Sequence, residues 1–213
     1  MASLSNIEQR SHPNKSKLTA ILMPRNKTIT DDEILTVART LFLKEGVNAS
    51  TRDIAKQAGI SEAVIYQRFG TKEDLFFTAM KLPQARLDAI FCIQIGKGNV
   101  VENLECVSLR IVDYFREVMP VFLTLISHPS FNMQTFLERH SAPAMQLSEK
   151  LRDYLIGESK LGRVSKGNVA IAIDVLLSHL HNIALYETIG APKTNVDRAV
   201  ADAISVLWEG LAP

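Results

Sequence analysis

Two cysteines, one tryptophan and no unbroken membrane-length apolar run set the first limits on this 213-residue chain. Cys92 and Cys106 stand in apolar, helix-like surroundings without metal-type spacing, which argues against a disulfide framework and for reduced core thiols in a cytoplasmic protein. The long uncharged run 119–137 is broken by Pro120 and Pro129 and carries His, Asn and Gln. It reads as a buried helix pair rather than a membrane span. The first 27 residues lack the apolar core of a signal peptide. No stretch alternates convincingly with period two, so no sheet is expected. A Gly-rich phosphate loop, HExxH, G-x-S-x-G and a sequence-evident nucleophile–base pair are all missing, so no enzyme is expected. No cofactor or metal is expected either, since His179 and His181 point about 200° apart on a helix.

No sign of charge dominates: 24 Lys and Arg stand against 23 Asp and Glu. The distribution is graded, however. Residues 1–27 hold five basic groups and one acidic, 28–82 hold seven and eight, and 83–213 hold twelve and fourteen. A basic arm therefore precedes a nearly neutral body. The arm fits two uses, a solvated tail or a flexible extension making salt-dependent phosphate or minor-groove contacts.

What is present is helical periodicity, in a chain 46% hydrophobic and so able to bury a core. Thr30-Asp31-Asp32-Glu33 is a capping box with acids in the first turn, and Ile34, Leu35, Ala38, Leu41 and Phe42 follow at helical spacing to Gly46. Ser50 or Thr51 caps a second helix of about eight residues that stops at Gly59, and a third starts directly behind Ser61. Ile54, Ile60, Ile65 and Phe69 are placed to close a small core with the first helix. This is a helix-turn-helix pattern, whose second member can enter a DNA major groove about 12 Å wide.

Thr71-Lys72-Glu73-Asp74 caps a fourth helix, expected to run to about residue 95 with a kink near Pro83. Asn99 opens a helix to about residue 119, and Pro120 fits the first turn of another. Short and long helices are expected over 134–140 and 142–159, and the last two over 165–188 and 194–211. On the final helix Val196, Val200, Ala203, Ile204, Leu207, Trp208 and Leu211 make an apolar stripe, and Ala199, Ala203 and Gly210 permit close approach. Residues 175–186 are uncharged around more than one face. Burial within one chain and a four-helix bundle between two chains both account for this, and a homodimer through the last two helices is the favoured expectation.

Leu41-Phe42 with Gly46, Ser50-Thr51-Arg52-Asp53-Ile54-Ala55, Ala58-Gly59-Ile60-Ser61, Ile65-Tyr66, Phe69 and Lys72-Glu73-Asp74-Leu75 together resemble the TetR (tetracycline-repressor) family of bacterial regulators. The likeness is specific over 30–80. Beyond that only the helical outline and Leu207-Trp208-Glu209-Gly210-Leu211 are similar. The resemblance implies an all-α protein: a basic arm (1–27), a helix-turn-helix DNA-binding domain (28–72) and a helical ligand-binding and dimerisation domain (73–213).

It also implies DNA contacts, which the chemistry accommodates. Thr51 would put its hydroxyl and a helix amino end on a phosphate, and Arg52 would reach a base edge, with guanine the natural partner. Ser61 would cap the recognition helix. Glu62, Ala63 and Val64 would face the groove floor, with Glu62 placed to accept from cytosine N4. Tyr66 and Lys72 would clamp phosphates, and Gln67 would read adenine or touch the backbone. Arg68 stands where the family usually has His or Tyr, and would add a guanine or phosphate contact. In the body, Phe115, Met119, Phe122, Phe136, His179, Asn182 and Tyr186 are the candidate lining of a pocket for a small, largely apolar effector, although such residues also serve as core. As the family mechanism, a dimer would present two recognition helices about 34 Å apart to a palindromic operator, and ligand binding would shift the fourth helix and release it.

Overall fold

The computed structural model describes residues 29–83, 86–165, 167–192 and 195–213, with backbone alone for 139–144. The basic arm lies outside the described residues. Every regular element among these residues is helical: α1 (Asp31–Glu45), α2 (Thr51–Ala58), α3 (Glu62–Phe69), α4 (Lys72–Ala79), α5 (Leu87–Ile90), α6 (Val100–Ile126), α7 (Met133–Lys160), α8 (Val169–Thr188) and α9 (Val196–Leu211), with a 3-10 turn at Gly46–Asn48.

The amino-terminal helices follow the sequence reading closely. Thr30 and Glu33 complete their reciprocal box at the start of α1, and Thr71 and Asp74 do the same on α4. The Thr71 hydroxyl and backbone N–H hold the Asp74 carboxyl below the usual carboxylate range. Gly59 closes α2 at φ 70° and ψ 29°, with its N–H on the carbonyls of Ala55 and Lys56. A Cβ there would meet nothing within 4 Å, so the left-handed backbone and not crowding is what calls for glycine. Ile34, Ala38, Phe42, Ile54, Ile65 and Leu75 are fully buried.

Five boundaries depart from expectation. The fourth helix does not run to residue 95. The Arg39 guanidinium donates to the carbonyls of Ala79 and Lys81 at 3.3 and 2.8 Å, satisfying the end of α4 where the expected helix would continue. Residues 91–98 then form a loop held by α7. The fully buried Glu158 accepts from Gly96 N–H at 2.9 Å and pairs with Arg163 at 3.3 Å. Gly157 lets the loop close in, for a Cβ there would lie 2.5 Å from Ile95 Cδ1.

Pro120 opens no new helix but sits inside α6. Val118, Met119, Val121 and Leu125 are buried around it, and the Thr124 hydroxyl takes the Pro120 carbonyl at 2.8 Å. Packing there offsets the lost backbone bond, a penalty of about 3 kcal/mol in an unsupported helix. The two helices expected over 134–159 are one, α7. The last two start later than expected, at Val169 behind Asn168 and at Val196 behind Asn195, while Ser165 N–H is spent on the Leu211 carbonyl at 2.8 Å.

Two apolar cores result. The body core joins α6, α7, α8 and α9 through Leu104, Ile111, Leu151, Leu176, Leu180 and Ile204. Arg116 of α6 grips Glu187 of α8 through two bonds of 2.7 and 2.8 Å, which raises the guanidinium pKa further. The head core joins α1–α4, and it takes in Val121 and Leu125 from the far end of α6. α4 thus packs as part of the head, and α6 contributes buried side chains to both cores.

Candidate nucleic-acid interface

The corner between α2 and α3 is built from both helices' first turns. Ser50 and Ser61 occupy the N-cap positions with extended backbone, yet neither hydroxyl makes a cap bond. Ser61 therefore marks the start of the recognition helix without closing it, contrary to its expected capping role. Ser61 itself is exposed.

Thr51 is buried, 6% exposed, and its hydroxyl donates to the Glu62 carboxylate. The Tyr66 hydroxyl lies 3.2 Å from the same Thr51 oxygen. A threonine hydroxyl has one proton; with that proton on Glu62, the phenol must be the donor of the second contact. Proton order thus runs from Tyr66 through Thr51 to Glu62. Two of the groups expected to meet DNA are engaged with each other. The Thr51 hydroxyl faces a side chain rather than solvent, and the half-buried Glu62 carboxylate faces Thr51 rather than an open groove. Tyr66 remains 44% exposed, but its proton must turn outward to meet a phosphate.

Around this cluster, Arg52, Ala63 and Gln67 are exposed, and Val64 and Lys72 are half-buried. Ala63, Tyr66 and Gln67 recur at three- and four-residue spacing and form the outer face of α3. Glu62, a possible acid partner for Arg52, is committed to Thr51. Arg68 turns away from that face. Its guanidinium donates to the Ile29 carbonyl at 2.8 Å and to Asp31 Oδ1 at 3.0 Å, tying the end of α3 to the start of α1. Arg68 thus holds an intramolecular pair, because residues 29–31 return beside α3.

The body residues singled out from sequence do not converge on one cavity. Met119 is buried in the body core and Phe115 packs edge-on to His181 at 5.5 Å. Phe122 and Phe136 meet at 5.2 Å near the head, joined by Phe131 at 5.4 Å. His179 is half-buried with Nε2 enclosed and unbonded, whereas Asn182 and Tyr186 are exposed on the outside of α8. The void between Leu104, Leu151, Leu176, Ile204 and Leu211 has a volume of about 10 Å³, no more than one water's worth, and none of the seven candidates lines it.

The outside of α8 carries Ile171, Val175, Ser178, Asn182, Tyr186 and Ile189 on one face, with Val175 50% and Tyr186 56% exposed. On α9 the expected interface stripe is largely internal: Val200, Ile204 and Leu211 are buried against the body. Val206, 71% exposed, and the exposed Gly210 mark the outward flank, with Ala203 half-buried beside them. The shift follows from α6, which claims the broad apolar side of α9.

The Thr51–Glu62–Tyr66 link was not visible in the sequence, since its members lie 11 and 15 residues apart. No short-range pattern signals it. The same holds for Arg39 and Arg68, whose partners are 37 to 42 residues away.

Residues 34–79 match the family profile for bacterial regulatory proteins of the tetR family. The chain is 23% identical over 150 residues to the HTH-type transcriptional regulator YvkB of Bacillus subtilis, covering 70% of this chain and 78% of that one. It is 39% identical over 56 residues to the HTH-type transcriptional regulator QacR of Staphylococcus aureus, covering 26% and 30%. Its fold is similar to the crystal structure of NalD, the secondary repressor of a multidrug efflux pump in Pseudomonas aeruginosa. That match has a TM-score of 0.57 at 17% identity and covers 85% of this chain and 95% of NalD.

Proposed function

We propose that the chain is a DNA-binding transcriptional regulator of the TetR family rather than an enzyme, and that it acts as a cytoplasmic repressor. It binds a palindromic operator as a homodimer and is released by a small, largely apolar effector. The observation that carries the DNA reading is the outer face of α3, where Ala63, Tyr66 and Gln67 stand exposed beside Arg52. Arg52 is the base reader, and Lys72 with the amino end of α2 takes phosphates.

The homodimer reading rests on the unpartnered flanks of α8 and α9. The best stretch of α8 has a mean hydropathy of 1.5, yet only a third of it is buried within the chain. A helix with a solvated outer face needs no such apolarity, whereas a four-helix bundle from two copies does. Small Ala199, Ala203 and Gly210 allow the helices to approach. Repression is supported by the likeness to NalD.

The effector reading centres on Phe122 and Phe136, half-buried rings flanked by exposed Ile126, Met133 and Leu137. An apolar molecule settling there would press on the end of α6, whose Val121 and Leu125 belong to the head core. α6 rather than a long fourth helix is then the transmitter. Release requires that the effector bind the DNA-free arrangement more tightly.

Binding to genomic fragments, including the segment upstream of its own gene, at two salt concentrations tests the proposal. Retention of one short palindrome by a dimer supports it. Sequence-blind, salt-erased binding across a wide operator search leaves a helical ligand-binding protein as the better reading.

A further inference from the structure

The geometry points to Glu62 as a positioning residue that sets the recognition helix against the phosphate-binding end of α2, and not as a reader of a base. This rests on the DNA-binding reading above. Glu62 is the first residue of α3 and Thr51 the first of α2, so the bond between them ties together the starts of the two helices that share the DNA surface.

Three features carry the inference. Thr51 is 6% exposed, so its hydroxyl cannot reach a phosphate without leaving the carboxylate that holds it. Tyr66, one turn beyond Glu62 on α3, donates to the same threonine oxygen at 3.2 Å and is fixed by the same link. Neither Ser50 nor Ser61 caps its helix by a side-chain bond, so the Thr51–Glu62 contact supplies a junction between the two helix starts that capping does not. A carboxylate facing DNA would also repel phosphate, but one that accepts a buried hydroxyl is directed inward. Losing the acceptor frees α3 to rotate against α2, which misaligns every DNA contact together rather than one base.

The test uses a duplex selected by the wild-type protein from a random library, and a random-sequence duplex for comparison. Glu62→Gln and Glu62→Ala are both neutral, so their difference isolates the hydrogen-bond acceptor from the charge. Glu62→Ala is expected to bind both duplexes about tenfold more weakly than Glu62→Gln, in line with the loss of one hydrogen bond. Renewed selection with Glu62→Ala should return the same bases. In a Thr51→Val background, where the hydroxyl is gone, the Gln–Ala difference should shrink to about twofold or less. If Glu62→Ala melts below the assay temperature, Thr51→Val against Thr51→Ser tests the link from its other end: Val weak, Ser like wild type. A changed base preference, equal binding by Gln and Ala, or a full difference surviving in Thr51→Val would each overturn the inference. Failure of the wild-type protein to select any sequence would instead strike the DNA reading itself, before any variant is made.

Discussion

The imidazole of His128 lies 4.7 Å from the ring of Phe76 and only 30° from parallel with it, so the α6–α7 turn of the body rests on α4 of the head. Phe77 adds an edge contact at 4.9 Å, and Phe76 passes the contact on to Phe42 of α1 at 5.0 Å. The Ser130 N–H donates to Nδ1 at 3.1 Å and holds the ring in register. His128→Ala is therefore expected to lower stability by about 1 kcal/mol, the scale of one aromatic pair. A denaturant midpoint unchanged from wild type would show that the stack contributes nothing.

Arg52 and Lys72 should separate by specificity. Arg52→Ala is expected to cost about 1–3 kcal/mol on the selected duplex and to relax preference at one base pair. Lys72→Ala should weaken selected and random duplexes evenly and lower the salt slope by about one. Equal loss on both duplexes for Arg52→Ala would remove its base-reading role. An unchanged salt slope would do the same for the phosphate contact of Lys72.

Arg68 should behave as a structural residue. Its bonds to Ile29 and Asp31 are worth about 1 kcal/mol together, as expected for a pair at the surface. Arg68→Ala should lower the melting temperature while leaving the selected bases unchanged. A coupling of Arg68→Ala with Asp31→Ala confirms the partner, whereas a shift in base preference would return Arg68 to the groove.

Val175→Glu on α8 or Val206→Glu on α9 should convert the proposed dimer to a monomer, because either places a charge on a flank with no internal partner surface. Sedimentation velocity reads this directly. A dimer of unchanged affinity in both variants would move the interface elsewhere.

Much of this was legible from local pattern. The Thr30 and Thr71 boxes, the Gly59 corner and the periodic apolar residues of α1 act within a turn or two of themselves, so α1, α2 and α3 fall where the spacing puts them. The length of α4 was not legible, since Arg39 ends it from 40 residues away. Pro120 misled for the same reason: a proline reads as a boundary until burial around it outweighs the lost bond. The candidate pocket was least legible: Phe122 and Phe136 meet, whereas Asn182 and Tyr186 stand exposed on the outside of α8.

The sequence by itself determined the helical class, the helix-turn-helix and the candidate residues for touching DNA, because caps, left-handed glycines and helical periodicity are encoded over a few neighbouring positions. Only the tertiary structure decided which of those side chains remain available. It spent Glu62 on Thr51 and Arg68 on Asp31, and it turned the broad apolar side of α9 inward. It also ran α6 through both cores. Each of these depends on chain segments far apart in sequence arriving at hydrogen-bond or van der Waals distance, where a partner within the protein replaces the solvent or ligand that the isolated pattern would suggest.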